Sequence, residues 1–379
     1  MTALPVVERM KPRGVGVETW MRVQYAGRDL PGAIREYPSD YHSAPGVGAD
    51  ECMDTVELFY ASDYSVCNYK CPYCYVGWAP DERKNWDTRD LFPKLMYRLS
   101  QLRHRLRLNM ENLGEWFTNK ALIEGTVFLA RRENVSSISI TTNASMLDRM
   151  IPFLDAVDVG KISFTCTYHA TEVTLDDYLR NITVLRDHGA NVVIATVVFP
   201  DNLAHCIELK HRAEALGVHF RVNAAEQLWR DAEGVTDEQL RSFYELLEEH
   251  RRWDAQRKGR LLGLNETRGA LCTAGQRYLW LNDFGDMFIC ASSQLYYKHT
   301  HKDSDLCLGN VFEIEGDRLP VRTEDLVCPF ERCFCPKDVL RQSSHQSAFR
   351  ISERTRHEVY FRDDAERAAL LAKPPVVKL

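Results

Sequence analysis

The stretch Val56-Glu-Leu-Phe-Tyr-Ala-Ser-Asp-Tyr64 runs through Ser65-Val66 into Cys67-Asn-Tyr-Lys-Cys71-Pro-Tyr-Cys74, so an apolar β-type run feeds three thiols spaced C-x3-C-x2-C. Thiolate is the ligand that four-iron, four-sulfur clusters take, and a tight loop can wrap one cube and supply three of its four corners. The fourth iron is then open to a small molecule, which separates a reactive cluster from one that only carries electrons. The competing reading is a structural zinc site. Zinc normally takes four protein ligands, often as two C-x2-C pairs, and three thiols followed by an aromatic, Tyr75, fit that pattern less well.

The whole chain has 379 residues, 45% of them hydrophobic, which suffices for one large α/β domain and a smaller module. A formal charge of -6 and a pI near 6.1 give no basic field for gripping nucleic acid. Twelve cysteines need a reason. No basic-then-apolar signal segment opens the chain and no apolar run approaches membrane length, so a reducing cytoplasm with cysteines spent on metal is the simpler expectation.

Residues 1 to 50 carry Pro5, Pro12, Pro31, Pro38 and Pro45 and read as an irregular arm. From there to residue 262 strands and amphipathic helices alternate. The strands are expected at Val56 to Tyr64, Leu106 to Met110, Val135 to Thr142, Lys161 to Thr167, Asn191 to Phe199 and Val218 to Val222. A helix is expected from Thr174, with Leu175, Leu179, Ile182 and Leu185 in one stripe and His188-Gly189 as its stop. Another opens with the capping box Thr236-Asp-Glu-Gln239. Six strands each followed by a helix predict a parallel sheet curled into a partial (β/α)6 TIM-like barrel, with chemistry at the C-terminal strand ends, where the cysteine loop lies.

Residues 263 to 340 shift to short strands, turns and six cysteines, Cys272, Cys290, Cys307, Cys328, Cys333 and Cys335. Cys272 to Cys290 reads as a hairpin turning at Asn282-Asp-Phe-Gly285, its two ends brought together. Such a module is expected to cover the barrel mouth. Residues 341 to 379 form a charged, mixed extension.

Cys67, Cys71 and Cys74, with Tyr73 just before the last thiol, resemble the signature of the radical S-adenosylmethionine superfamily. The resemblance implies that the three thiolates hold a [4Fe-4S] cluster whose free iron binds S-adenosylmethionine. One electron then cleaves that cofactor to a 5'-deoxyadenosyl radical, which takes a hydrogen atom from an unactivated C–H bond, while the protein supplies orientation and dryness. A reducing partner such as flavodoxin or ferredoxin is implied with it. Tyr73 falls among the cofactor contacts. Asn112-Leu113-Gly114-Glu115 stands where the family has a Gly-Gly-Glu motif contacting the methionine amino group; its first glycine is replaced, and an ordinary strand-to-helix turn is the alternative. Thr141-Thr-Asn143-Ala-Ser145 resembles the family's Thr-Asn-Gly.

Alternation along Ile162 to His169 puts Ser163, Thr165, Thr167 and His169 on one face. If that face lines the barrel, Thr165 or Thr167 can hold the ribose and His169 can reach substrate, although a lone histidine at a strand end also serves as a satisfied structural group. Glu226, after the sixth strand, is either a substrate contact or a surface residue. The C-terminal segment resembles SPASM and twitch modules through C-x(n)-G-x4-C at Cys272, Gly285 and Cys290. The later cysteines depart from the full SPASM run, which implies one auxiliary [4Fe-4S] cluster, held by Cys272, Cys290 and two of Cys328, Cys333 and Cys335, with Cys307 in reserve.

The short proline-rich arm does not resemble a leader-peptide recognition domain, so a small polar substrate, a sugar or aminocyclitol undergoing dehydrogenation or epimerisation, is expected before a ribosomally made peptide. Epimerisation needs a hydrogen-atom donor. Cys206 is a candidate, although it shares an apolar stripe with Leu203 and Ile207 that favours burial. The non-enzyme alternative is a zinc-stabilised binding protein.

Overall fold

The computed structural model describes residues 37–74, 90–224, 235–248, 271–291, 293–294, 306–324 and 326–327. The alternation expected of a partial barrel is present along the chain. Its elements are β1 (Met53–Ser62), α1 (Leu91–Ser100), β2 (His104–Asn112), α2 (Lys120–Ala130), β3 (Val135–Thr142), α3 (Leu147–Asp155), β4 (Ile162–Tyr168), α4 (Leu175–Asp187), β5 (Asn191–Val198), α5 (Leu203–Ala215), β6 (His219–Ala224) and α6 (Asp237–Glu248). Five short strands follow: β7 (Leu271–Cys272), β8 (Tyr278–Asn282), β9 (Asp286–Phe288), β10 (Cys307–Asn310) and β11 (Leu326–Val327).

Two compact units result, and they do not follow chain order. One comprises Met1–Ile194 with Gly275–Thr323, the other Ala195–Ala274 with Glu324–Leu379. In the first unit the strands hydrogen-bond in the order β10-β9-β8-β1-β2-β3-β4, an open sheet. β1, β2, β3 and β4 pair in parallel, in register from Leu58 opposite Leu108 to Thr141 opposite Thr165. β8 also pairs parallel with β1, Phe59 opposite Trp280, and β9 and β10 complete the sheet antiparallel. The expected hairpin therefore exists, with its turn at Asn282 to Gly285, but it extends the barrel's own sheet as strands beyond β1 instead of forming a detached cover.

That pairing also corrects the cysteine geometry of the hairpin. With Leu281 opposite Met287 and Trp280 opposite Phe288, the register carries Tyr278 toward position 290. Cys272 lies outside this ladder and sits opposite Leu326 in the separate two-stranded sheet of β7 and β11.

Why the sheet is buried on one face is legible in β4. Ile162, Phe164, Cys166 and Tyr168 are buried, while Ser163, Thr165 and Thr167 alternate half-buried on the opposite face. The buried face packs on helices: Tyr178 of α4 is almost wholly enclosed and donates its hydroxyl to the Cys166 carbonyl at 2.6 Å. Tyr60, Phe92 and Trp116 form one aromatic cluster, and Phe117, Phe153 and Phe164 another. Each such side chain contributes roughly 1.5–3 kcal/mol on burial. Helix starts follow the sequence signals: Thr174 accepts from the Asp177 N–H, and Asn119 accepts from Ala121 and Leu122. In the second unit, Gln239 and Thr236 exchange the hydrogen bonds of the expected capping box at α6. No helix among the described residues is long and apolar enough to cross a membrane.

Candidate active site: the cysteine loop and its supports

Beyond Ser62 the chain continues past the end of β1, and the backbone there keeps a sheet-like hold on the segment after β2. Gly114 donates its N–H to the Tyr64 carbonyl at 2.8 Å and Glu115 donates to Val66 at 2.9 Å. The approach is so close that a β-carbon at Gly114 would lie 2.1 Å from the Val66 carbonyl oxygen. Glycine is required here by contact, since no side chain fits that space. The two residues expected to contact the cofactor's amino group thus also fix the backbone from which Cys67 leaves.

Glu115 does not present an open carboxylate. It is buried, and its Oε1 accepts from Thr142 Oγ1 at 2.7 Å and the Phe117 N–H at 3.1 Å, while Oε2 accepts the Asn143 N–H at 2.7 Å. Burial raises its pKa, and these three hydrogen bonds pull it back down. Glu115 thereby clamps the end of β2 to the end of β3. The clamp stands beside its expected role as a contact to the methionine amino group, since Oε2 accepts only one of these hydrogen bonds.

Asn143 links that clamp to the cysteine loop. Its Nδ2 donates to Asn68 Oδ1 at 2.9 Å and approaches Cys67 Sγ at 4.0 Å, while its Oδ1 accepts from Ser145. Asn68 in turn donates to Ser145 Oγ at 2.8 Å. Between them Ala144 adopts φ 57° and is fully buried, the left-handed conformation for which the resembled Thr-Asn-Gly motif carries glycine.

Cys67 is exposed, Cys71 buried and Cys74 half-buried, and the Cys74 N–H donates to the Cys71 carbonyl at 3.0 Å, which closes the turn. Burial pushes the Cys71 thiol up to about 12, helped by the charges of Glu172, Cys74 and Cys67. Although Cys67 is exposed as a residue, desolvation of its thiol pushes it up to about 11, helped by Glu115, Cys74 and Glu172. The charges of Cys74 and Cys67 thus oppose ionisation of Cys71, which is the arrangement a bound cation relieves. Among the described residues no three His, Cys, Asp or Glu side chains converge on one ion position. A cubane, in which each thiolate binds a different iron, sets no such requirement. On donor chemistry and C-x3-C-x2-C spacing, the loop fits a cluster.

His169 stands at the end of β4, at the foot of the loop. Its Nδ1 is 2.7 Å from Tyr73 Oη and 3.4 Å from Cys71 Sγ. Burial lowers its pKa to about 4, so the ring is neutral at ordinary pH. One ring nitrogen of His169, Nδ1, thus faces the cysteine loop. Thr165 and Thr167 lie half-buried on the same strand face, with Thr165 in register with Thr141. The half-buried face continues across the sheet through Asn109, which donates to Glu57 at 2.7 Å, and Thr141, which donates to Glu111 at 3.3 Å.

Other expected site residues fall elsewhere. Cys206 is fully buried in the second unit, its sulfur 3.5 Å from Thr196 Oγ1, and burial pushes its thiol up to about 12. A thiol so enclosed is a packing residue, which corrects its candidacy as hydrogen-atom donor. Cys290 is buried at the end of the hairpin, where its N–H donates to Ser293 Oγ at 3.1 Å. Glu226, Cys328, Cys333 and Cys335 lie outside the described residues. Asn68, Tyr69, Ser145 and Glu172 were not picked out from sequence. Asn68 and Tyr69 lie inside the cysteine spacing itself, a signal that was available, whereas nothing local marks Glu172.

No protein-family model matches the sequence, and no curated protein matches it. Among solved structures, the chain is similar to native anSMEcpe with bound AdoMet, at 15% identity over 68% of this chain and 79% of that one, with a TM-score of 0.45. It is similar to Streptococcus suis SuiB bound to S-adenosylmethionine, at 15% identity over 69% of this chain and 64% of that one, with a TM-score of 0.44. It is also similar to BtrN in complex with AdoMet and 2-DOIA, at 14% identity over 82% and 92%, with a TM-score of 0.35.

Proposed function

We propose that this chain is a radical S-adenosylmethionine enzyme acting on a small polar substrate. The observation that carries the reading is the C-x3-C-x2-C loop at the C-terminal end of β1, braced by the Gly114 and Glu115 backbone N–H groups and by Asn143. Cys67, Cys71 and Cys74 would hold a [4Fe-4S] cluster. When bound, that cluster with S-adenosylmethionine supplies one-electron cleavage of the cofactor and removal of a hydrogen atom from an unactivated C–H bond.

The chain's own part is positioning. Gly114 and the Glu115 clamp fix where the loop leaves the sheet, and Tyr73 faces the end of β4. Thr165 and Thr167 offer hydroxyls on the half-buried face. Asn109, Glu111, Thr141 and Ser163 continue that face as hydrogen-bonding groups. A wall of hydroxyls, amide and carboxylate complements a polyhydroxylated or amine-bearing molecule such as a sugar or aminocyclitol better than an apolar one. The resemblance to SPASM and twitch modules names Cys272, Cys290 and two of Cys328, Cys333 and Cys335 for an auxiliary cluster, although the β8–β9 ladder by itself does not join Cys272 to Cys290. Whether the outcome is dehydrogenation or epimerisation follows from what that cluster accepts.

Anaerobic iron and sulfide counting on the wild type beside a Cys67/Cys71/Cys74 triple alanine variant tests the assignment. About eight irons falling to about four is expected for one cubane at each site, together with loss of S-adenosylmethionine cleavage to 5'-deoxyadenosine in Cys71→Ala. Zinc without labile sulfide after reconstitution would sink the proposal in favour of a zinc-stabilised binding protein.

A further inference from the structure

Besides the contacts of Asn143 and Ser145 with Asn68, the loop meets a histidine at the end of β4. His169 is set between two tyrosines of the C-x3-C-x2-C segment, Tyr73 nearly parallel to the imidazole at 6.0 Å and 17° and Tyr69 edge-on at 5.9 Å and 80°. Its own backbone is pinned, because its carbonyl accepts the N–H groups of Glu172 at 3.0 Å and Val173 at 3.2 Å. A single ring nitrogen, Nδ1, therefore meets Tyr73 Oη at 2.7 Å and Cys71 Sγ at 3.4 Å. In metal-free protein both partners can donate to it. A sulfur bonded to iron has no proton and can only accept.

We propose that His169 is a positioning residue for the loop: with the cluster bound, the proton of its imidazole sits on Nδ1 and is shared between Tyr73 Oη and Cys71 Sγ. This rests on the reading of the loop as a cluster site. An N–H dipole aimed at a ligand sulfur stabilises the extra electron of the reduced state and raises the reduction potential. The same contact ties the loop to β4, so the tuning group and the anchor are one residue.

Potentiometric titration tests this, following the EPR signal that disappears in the Cys67/Cys71/Cys74 alanine variant, without S-adenosylmethionine. His169→Phe keeps a ring between the two tyrosines and removes the nitrogen. It is expected to take up wild-type iron and sulfide while the ratio of reduced to oxidised cluster at a fixed potential falls about tenfold, about 59 mV for one electron. His169→Asn, whose amide nitrogen stands close to where Nδ1 stood, is expected to restore most of that ratio. Where His169→Phe loads poorly, His169→Leu is compared with His169→Asn in its place, the about tenfold lower ratio being expected in the leucine variant; Tyr73 is left intact because its hydroxyl also hydrogen-bonds Cys71. Wild-type potential in His169→Phe or His169→Leu, or no rescue by His169→Asn, would overturn the assignment. A wild-type protein that takes up no iron and sulfide would instead overturn the reading of the loop itself.

Discussion

Gly114 shows how much the site asks of one atom. A methyl group there would collide with the Val66 carbonyl oxygen, and the backbone cannot retreat without breaking the Gly114 and Glu115 hydrogen bonds to Tyr64 and Val66. Gly114→Ala is therefore expected to cost about 1–3 kcal/mol, read as a lower urea midpoint, and to lower iron uptake by the loop. Glu115→Gln removes an acceptor: of the N–H groups of Phe117 and Asn143, one must face an amide NH2 in place of a carboxylate oxygen. About 1–3 kcal/mol of destabilisation is expected in the same measurement. Both residues were legible in sequence as a Gly-Glu motif. What they do was not, because apart from Phe117 the partners of the Glu115 side chain lie 27 and 28 positions away, at and just past the end of β3, and the Gly114 partner Tyr64 lies ahead of the cysteine loop.

At the scale of elements, the sequence signals were local and so were readable. Thr174 caps α4 with its Oγ1 on the Asp177 N–H at 3.2 Å, as the pattern before Leu175 requires. Thr174→Ala is expected to cost about 1 kcal/mol, seen as a lower midpoint in thermal or urea unfolding without loss of iron binding. The alternation of β4 predicted which residues face the helices, and Cys166 does turn away from the half-buried face, as alternation requires. The hairpin was also legible from Asn282-Asp-Phe-Gly285, since Gly285 at φ 84° supplies the left-handed position the turn needs. Strand length was not legible. The ladder takes Tyr278 to Asn282 and leaves Cys272 to β7, because pairing partners rather than local propensity decide where a strand ends.

Across the first unit, residues far apart in sequence tie the hairpin to the barrel edge. Asp283 accepts from Tyr60 Oη, from Ser62 Oγ at 3.2 Å and from the Asp63 N–H at 2.7 Å, all just ahead of the cysteine loop. His104, buried at the start of β2, accepts the Leu319 N–H on Nε2 at 3.0 Å, so its proton sits on Nδ1, facing the Asp54 carbonyl at 3.3 Å. Burial lowers the His104 pKa below its ordinary 6.5. The unfolded chain then binds more protons than the folded one between 6.5 and the lowered value. Stability from this group is present above pH 6.5 and is lost as pH falls through that window. Urea midpoints compared at pH 7.5 and pH 5.5 are expected to fall less on acidification in His104→Asn than in the wild type.

The amino-acid sequence by itself determined the strand and helix alternation, the cysteine loop at the end of β1, the helix caps and the turn of the hairpin. Each is specified by residues within a few positions of one another, through periodicity, spacing or backbone conformation. Only the tertiary structure decided that the hairpin joins the barrel's sheet at β1, that Glu115 bridges β2 and β3, that Cys206 is buried, and that His169 meets Tyr73 and Cys71. Those outcomes depend on which distant strands come into register, and hydrogen bonds between residues 96 or 220 positions apart leave no local mark in a sequence.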